Sequence, residues 1–206
     1  MVTFLCMVFI VSLSGVMAPG PVFAVTLVKG RTNPLAGSLI AFGHGLIEIP
    51  VIILIVLGLA VWLRDAYVHL IIGIAGGLVL CWMGYGMFRL ASSHITLEKP
   101  DLPYPSFVAG AMTTAANPYF FLWWATVGSM LILKAQALGL LAVVLFVVVH
   151  LGTDLLWCQC VSLFSHRMQH LLTGRVHKGV LIACGILLAG FGIWFLLDST
   201  GIASLI

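Results

Sequence analysis

The chain alternates between long apolar runs and short polar segments. Residues 2–28, 102–133 and 179–197 contain no Asp, Glu, Lys or Arg. Each run reaches the roughly 20 residues that an α-helix needs to cross a bilayer. The runs lack the alternating apolar and polar positions of a barrel strand, so the pattern predicts an all-α, polytopic membrane protein.

Six membrane spans can be drawn between the polar connections. They cover about 3–28, 37–61, 68–90, 107–133, 138–163 and 179–197. The connections leave no room for a soluble domain, so we predict a single membrane domain over residues 1–206. Composition agrees with this prediction. The chain is 62% hydrophobic and 7% charged, with a mean hydropathy of +1.22, which is far outside the range of soluble domains.

Basic residues are distributed unevenly between the two sides of the predicted bundle. The first, third and fifth connections hold Lys29, Arg31, Arg89, Lys99, Arg167, Arg175 and Lys178, and the other side holds Arg64 and Lys134. The positive-inside rule places the first group in the cytoplasm and both termini outside. The net charge of +3 forms no basic stripe, so we expect no nucleic-acid partner.

The two halves of the chain are related to each other. A shift of 106 residues places His44 on His150 and Glu48 on Asp154, and it aligns several glycines with small residues. Each half has three spans, an odd number, so the halves enter the membrane in opposite directions. This predicts a 3+3 inverted repeat, with repeat one over 1–98 and repeat two over 99–206. Substrate sites in such proteins lie near the midplane between the repeats.

Prolines interrupt the first span of each repeat. Pro19 and Pro21 in the first repeat and Pro118 in the second remove backbone donors and free carbonyls one turn earlier, Thr114 in the case of Pro118. At membrane depth such breaks are tolerated where neighbouring groups or a water-filled cavity satisfy the backbone. One proline could be a packing kink, but matched breaks in both halves favour a substrate site.

Two His-x-x-x-acid pairs carry the candidate chemistry. His44 with Glu48, and His150 with Asp154, are each four residues apart and share one helix face. An ionised carboxylate at mid-bilayer costs ~2.5–3.5 kcal/mol on insertion scales, so these groups should face a cavity or a partner. Each pair could take up and release a proton near neutral pH. The alternative is a structural hydrogen bond that clamps two helices together.

Three other residue types have simpler interpretations. The five cysteines are expected to act as small packing groups. The glycines of the third and sixth spans form small-residue stripes for helix contact, and they are also compatible with a homodimer. An aromatic belt or lipid-facing packing is a more frequent role than cavity lining for Trp123, Trp124 and Trp157.

Four segments together resemble a known family. "GVMAPGP", "KGRTNPLAG", "AFGHGLIE" and "FVAGAMTTAANP" are similar to segments of the lysine-exporter-type translocators, which include threonine and homoserine efflux proteins. The resemblance covers nearly the whole chain. It implies a six-helix carrier in the cytoplasmic membrane of a prokaryote that exports amino acids or related small molecules in exchange for protons.

The resemblance also assigns positions. Glu48 falls where many members have an acid, and the residues that match the two proline signatures are Gly15, Pro19, Gly20, Pro21, Asn117 and Pro118. The chain departs from the family pattern at Tyr119, where members often have Lys. His44 and His150 are not features of the amino-acid exporters as a group.

The main hypothesis is therefore a secondary transporter that exports amino acids or similar small polar metabolites by proton antiport and alternating access. The broken spans would bind the substrate, and the two His-x-x-x-acid pairs would couple the proton.

The alternative is a divalent or transition-metal cation exporter that uses the same four side chains as ligands. We expect no enzyme activity and no cofactor, since no cysteine stands beside the prolines to support redox chemistry. A scaffold without transport would leave four buried ionisable residues unexplained.

Overall fold

In the computed structural model, residues 1–17, 20–58, 66–92, 102–168 and 175–199 are described, and every regular element among them is a helix. The helices are α1 Val2–Val16, α2 Pro21–Thr32, α3 Ala36–Val56, α4 Ala66–Ser92, α5 Ser106–Ala115, α6 Pro118–Trp123, α7 Ser129–Leu138, α8 Leu140–Arg167 and α9 Arg175–Ser199. A π-helical turn, Trp124–Gly128, joins α6 to α7. The predicted all-α class is confirmed for the described part of the chain.

Several helices are long and apolar enough to cross a membrane. Four such spans are Ala36–Val56, Pro118–Leu138, Leu140–Arg167 and Lys178–Leu197, and α1 with α2 would make a fifth if this pair, bent by 78°, counts as one span. Helix α4, with 27 residues, lies where the third span is predicted but is outside this count. The chain is thus a multi-pass membrane protein, and the number six and the 3+3 repeat stay predictions.

The predicted break in the second repeat lies between α5 and α6. Asn117 caps α6, with its side-chain oxygen accepting from the Tyr119 amide at 3.1 Å, and Pro118 takes the first helical position. Proline suits this position because the first amides of a helix have no intrahelical partner. The Thr114 carbonyl, which the sequence predicts to be freed, accepts from the Asn117 amide at 3.1 Å. The Thr114 carbonyl is therefore hydrogen-bonded within the turn that contains the break.

The turn between the fourth and fifth predicted spans comes later than expected. Lys134 lies within α7, and the chain reverses at Gly139, where φ is 101°. Glycine adopts this left-handed conformation without the clash that a Cβ atom would cause.

Glycines allow close helix crossings at two places. Where α3 crosses α5, a Cβ atom on Gly43 would overlap the Phe107 carbonyl oxygen. Where α4 packs along α9, a Cβ atom on Gly77 would come within 2.7 Å of the Gly192 carbonyl oxygen. The small-residue stripes of α4 and α9 thus meet within one chain at Gly77 with Gly192 and at Gly84 with Ala189, whereas Gly86, Gly179 and Gly190 have open space beside them. A homodimer stays a prediction.

Polar contacts fix α8 against the connection between α2 and α3. The Gln159 side-chain oxygen accepts from the Ser38 hydroxyl at 2.7 Å, and its amide nitrogen donates to the Pro34 carbonyl at 2.8 Å. Gln159 follows Asp154 by five residues on α8. These bonds therefore hold Asp154 in register with α3.

Lys29 is more buried than its place in a predicted connection implies. It lies in the last turn of α2, 3% exposed, and its ammonium donates to the Leu102 carbonyl at 2.9 Å. The ammonium also lies 5.5 Å from the ring centre of Tyr104. Lys29 thus ties α2 to the segment that opens the second half of the chain.

The buried apolar side chains form two clusters. One joins α2, α4, α5 and α9, and the other joins α1, α3, α6, α7 and α8. Helix α3 also contributes Ile40 to the first cluster, while its residue Val51 belongs to the second. His44 and Glu48 lie between these two positions on α3, so the polar residues occupy the boundary between the apolar clusters.

Candidate functional site

The four ionisable residues of the two pairs meet at one point, and Glu48 is at its centre. Its Oε1 atom accepts from Nε2 of His44 and from Nε2 of His150, each at 3.1 Å. The indole nitrogen of Trp124 donates to the same oxygen at 3.2 Å. Glu48 is 1% exposed, so three donors from three helices replace the water that its carboxylate loses on burial.

Asp154 lies beside this centre without joining it as closely. Its Oδ2 atom is 3.8 Å from Nε2 of His44 and 3.6 Å from Nε2 of His150. Among the described residues, neither Oδ2 of Asp154 nor Oε2 of Glu48 has a hydrogen-bond partner, although both atoms are buried. Two buried carboxylate oxygens are therefore available to a ligand.

His44 is positioned by the crossing of α3 and α5. Gly43 and Gly110 allow the two backbones to touch, and Thr114 follows Gly110 by one helical turn. The Thr114 hydroxyl consequently lies 2.8 Å from Nδ1 of His44. The same hydroxyl donates to the Gly110 carbonyl at 2.8 Å.

His150 is held by Trp123 of α6, by Ser12 of α1 and by Phe146 of its own helix. Its ring stacks on Trp123, with centroids 5.3 Å apart, and on Phe146, with centroids 5.8 Å apart. The Ser12 hydroxyl of α1 lies 2.6 Å from its Nδ1 atom. The ring is thus fixed on both faces and at both nitrogens, so that Nε2 points to Glu48.

A cavity of about 420 Å³ connects these four residues with the two helix breaks. His44, Glu48, His150 and Asp154 all line it, and so do Gly15, Gly20, Pro21 and Asn117. Pro118 is buried but is not among the lining residues, and Pro19 lies outside the described residues. The structure therefore brings together eight of the ten predicted site residues around one cavity.

The aromatic residues correct one expectation. Trp123 and Trp124 line the cavity instead of facing lipid, and Trp124 is 1% exposed because its indole is bonded to Glu48. Trp157 does not line this cavity but borders a much smaller, adjoining one. Tyr119, at the position where the family resemblance leads one to expect Lys, also lines the main cavity.

The cysteines do not form a uniform set. Cys81, Cys158 and Cys184 are buried or half-buried, which agrees with packing, and Cys158 also lines the cavity. Cys6 and Cys160 are exposed on the outer surface of the helices. Packing inside the protein was the wrong expectation for these two, since a position within an apolar span does not distinguish the lipid-facing side.

Sequence reasoning missed Ser12, Thr114 and Phe146. A signal was present for the first, since Ser12 is one of few polar residues in the uncharged run 2–28. Phe146 precedes His150 by one helical turn, which is the spacing for a stacked pair. Nothing in the sequence indicated that Thr114 would meet a histidine of another helix.

Part of the site has the spacing of a metal centre. One ligand atom each from His44, Glu48 and Asp154 lie within 4.8 Å of one another. Imidazole nitrogen and carboxylate oxygen are ligands for a borderline divalent ion. Among the described residues, these three form a group that could hold a metal.

Comparisons with known proteins agree with the resemblance seen in the sequence. The sequence model of the family described as LysE type translocator matches residues 13–199. The threonine efflux protein of Salmonella typhimurium is 31% identical over 145 residues, which cover 66% of this chain and 68% of that protein. The threonine efflux protein of Escherichia coli (strain K12) is 30% identical over 142 residues, with the same coverage.

A relative with a different description covers more of the chain. The chemotactic transduction protein ChpE of Pseudomonas aeruginosa is 28% identical over 184 residues, which cover 84% of this chain and 88% of that protein. No solved structure matches the chain.

Proposed function

Because the chain belongs to the LysE type translocator family, we propose that it is a secondary transporter that exports amino acids from the cytoplasm by proton antiport and alternating access. One observation carries the proposal. A single cavity joins the broken spans of both halves to four ionisable side chains that lie deep in the apolar part of the chain. Intramembrane ionisable groups around a cavity are typical of substrate and proton pathways.

The polar end of the cavity suits the two charged groups of an amino acid. The substrate ammonium would bind the carboxylate oxygens without hydrogen bonds, Oε2 of Glu48 and Oδ2 of Asp154. The substrate carboxylate would bind the first turn of α2, whose Val22 and Phe23 line the cavity. The first backbone bond of α2 comes from the Ala24 amide, so the two preceding amides have no intrahelical acceptor. The positive end of the helix dipole also favours an anion there.

Proton antiport follows if the ammonium and the proton compete for the same carboxylates. A site that holds either the substrate or a proton, but not both, exchanges one for the other each time it changes sides. His44 and His150 contact both Glu48 and Asp154, so the four side chains would share the proton as one unit.

Alternating access would come from rocking of the two inverted repeats, 1–98 against 99–206. Support comes from equivalent parts of the two halves. Pro21 begins α2 and Pro118 begins α6 in the same first helical position, and α3 and α8 each bring one His-x-x-x-acid pair to the cavity. We place the protein in the cytoplasmic membrane, with the basic connections in the cytoplasm and both termini outside.

The test is transport by purified protein in proteoliposomes. We expect counterflow of a labelled amino-acid pool, and accumulation of external amino acids when the lumen is acidic. The double variant Glu48→Gln/Asp154→Asn is the inactive control. Counterflow of a labelled divalent ion without any amino-acid counterflow would contradict the proposal and restore the metal exporter, to which the efflux relatives give no support. Amino-acid transport that does not respond to a pH gradient would support the proposed export and contradict the proposed proton coupling.

A further inference from the structure

We infer that the amino acid this transporter exports has a large aromatic side chain, an inference that rests on the amino-acid export proposed above. The first observation is the size of the cavity. A volume of about 420 Å³ lies within the roughly 300–1,000 Å³ of small-molecule sites, so the cavity has room for an aromatic amino acid. Threonine would leave more of this space to water.

The second observation is the aromatic character of much of the lining, which includes rings in contact with His44 and His150. The ionisable groups lie together around Glu48, where the substrate's ammonium group would bind. Much of the cavity wall is aromatic. The aromatic lining residues include Phe23, Tyr119, Phe120, Trp123, Phe191 and Trp194. Rings of this kind favour an aromatic substrate side chain through edge-to-face and offset-stacked contacts. A hydroxyl or amide in the same place would lose its bonds to water without a compensating partner.

The third observation is the absence of a permanent cation among the lining residues. No Lys or Arg is found among the described residues that line the cavity. An acidic substrate side chain would therefore have no basic partner there. A basic substrate side chain would have to lie against the aromatic wall, since Glu48 and Asp154 already bind the substrate's ammonium group.

The aromatic wall also continues to the surface. Tyr119 is 44% exposed and Trp194 is 52% exposed, while both line the cavity. Rings from α6 and α9 thus extend the aromatic lining to the outer surface of the helices.

The first test uses the wild-type protein in proteoliposomes. Counterflow of labelled tryptophan and phenylalanine is compared with that of threonine, which is smaller, and of glutamine, which is polar. We expect the aromatic amino acids to be transported with a kcat/KM about tenfold or more above the other two. Equal transport of threonine or glutamine would overturn the inference and leave amino-acid export standing. Failure to transport any amino acid would overturn both.

The second test reduces the cavity. Val16 lines it at the end of α1, and Val148 is 61% exposed on α8 away from it. Val16→Phe should lower tryptophan counterflow about tenfold and change threonine counterflow by less than about twofold, because the added ring takes the space of the substrate side chain. Val148→Phe adds the same ring outside the cavity and should change neither. An equal loss of tryptophan and threonine counterflow in a folded Val16→Phe protein would contradict the inference. If this variant does not fold, the comparison of substrates in the wild-type protein decides the question.

Discussion

The two His-x-x-x-acid pairs occupy equivalent positions in the sequence but unequal positions in the site. Glu48 accepts hydrogen bonds from both histidines and from Trp124 on a single oxygen. Asp154 lies 3.6 Å or more from the same histidine nitrogens, and its Oδ2 atom has no hydrogen-bond partner among the described residues. Oε2 of Glu48 also has no partner among the described residues, so both acids keep one oxygen for a ligand. Within the proposed mechanism we predict that the more strongly bonded Glu48 stays ionised and that Asp154 exchanges the proton.

The two histidines also differ in the hydrogen bonds that their ring nitrogens make. The Thr114 hydroxyl gives its proton to the Gly110 carbonyl, so it accepts from Nδ1 of His44. Because Nε2 of His44 also donates to Glu48, this bonding pattern favours a cationic His44. The Ser12 hydroxyl can instead donate to Nδ1 of His150, which suits a neutral ring. We therefore predict that the two histidines carry different charges, although the repeat supplies the same residue at both positions.

The largest expected effect comes from Glu48→Gln, which removes the fixed anion. The amide keeps the shape and an oxygen that can accept from the histidines, but it has no negative charge to balance a cationic His44. Unpairing a buried charge in this way costs several kcal/mol, so we expect both counterflow and gradient-driven uptake to fall about 100-fold. Initial rates in proteoliposomes measure this. A variant that keeps either activity within about threefold of wild type would show that Glu48 is not the centre of the site.

The second prediction concerns Asp154→Asn. This variant should separate counterflow from gradient-driven uptake, two activities that Glu48→Gln removes together. Without an exchangeable carboxylate, accumulation driven by an acidic lumen should be lost. Counterflow needs no proton exchange and should continue at the wild-type maximal rate, with a KM about tenfold higher because one ammonium contact is weaker. Asp154→Glu, which retains a carboxylate, is the matched control for coupling. Loss of both activities to the same extent would mean that the two acids are equivalent after all.

Much of this arrangement could be predicted from the sequence. The uncharged runs fixed the class of fold, and the offset of 106 residues identified the four ionisable residues. Pro21 and Pro118 indicated where two helices begin after a break, because proline acts locally on the backbone, whereas Pro50 lies inside α3 without breaking it. These features depend on residues close together in the chain or on a simple repeat.

The inequality of the pairs could not be predicted. It depends on which hydroxyl and which rings the tertiary structure brings to each histidine, and Thr114 is 70 residues from His44 while Ser12 is 138 residues from His150. The roles of Trp123 and Trp124 were misjudged for the same reason. Tryptophan in an apolar span suits a lipid-facing side and a cavity equally well, and only packing between helices distinguishes them.

A smaller effect, on stability, is expected from the unequal packing of the two imidazoles. His150 stacks on two aromatic rings, whereas His44 makes one edge contact, with Phe120. Each such contact is worth about 0.5–1.5 kcal/mol. His150→Gln should therefore lower the thermal unfolding midpoint in detergent by about 5 °C, and His44→Gln by about half as much. His166→Gln, away from the cavity, is the control, and a larger shift for His44→Gln would reverse the assignment.

The smallest effects test the charge states of the two histidines directly. Thr114→Val removes the acceptor of a cationic ring, and hydrogen bonds to charged groups are stronger than neutral ones, so gradient-driven uptake should fall about tenfold. Ser12→Ala removes the donor to a neutral ring and should reduce the same rate only about twofold. Thr113→Val and Ser14→Ala are matched controls, since these hydroxyls donate to carbonyls of their own helices at 2.7 Å. Equal losses for Thr114→Val and Ser12→Ala would mean that both imidazoles hold the same charge, and the division of roles between the repeats would then rest on the carboxylates alone.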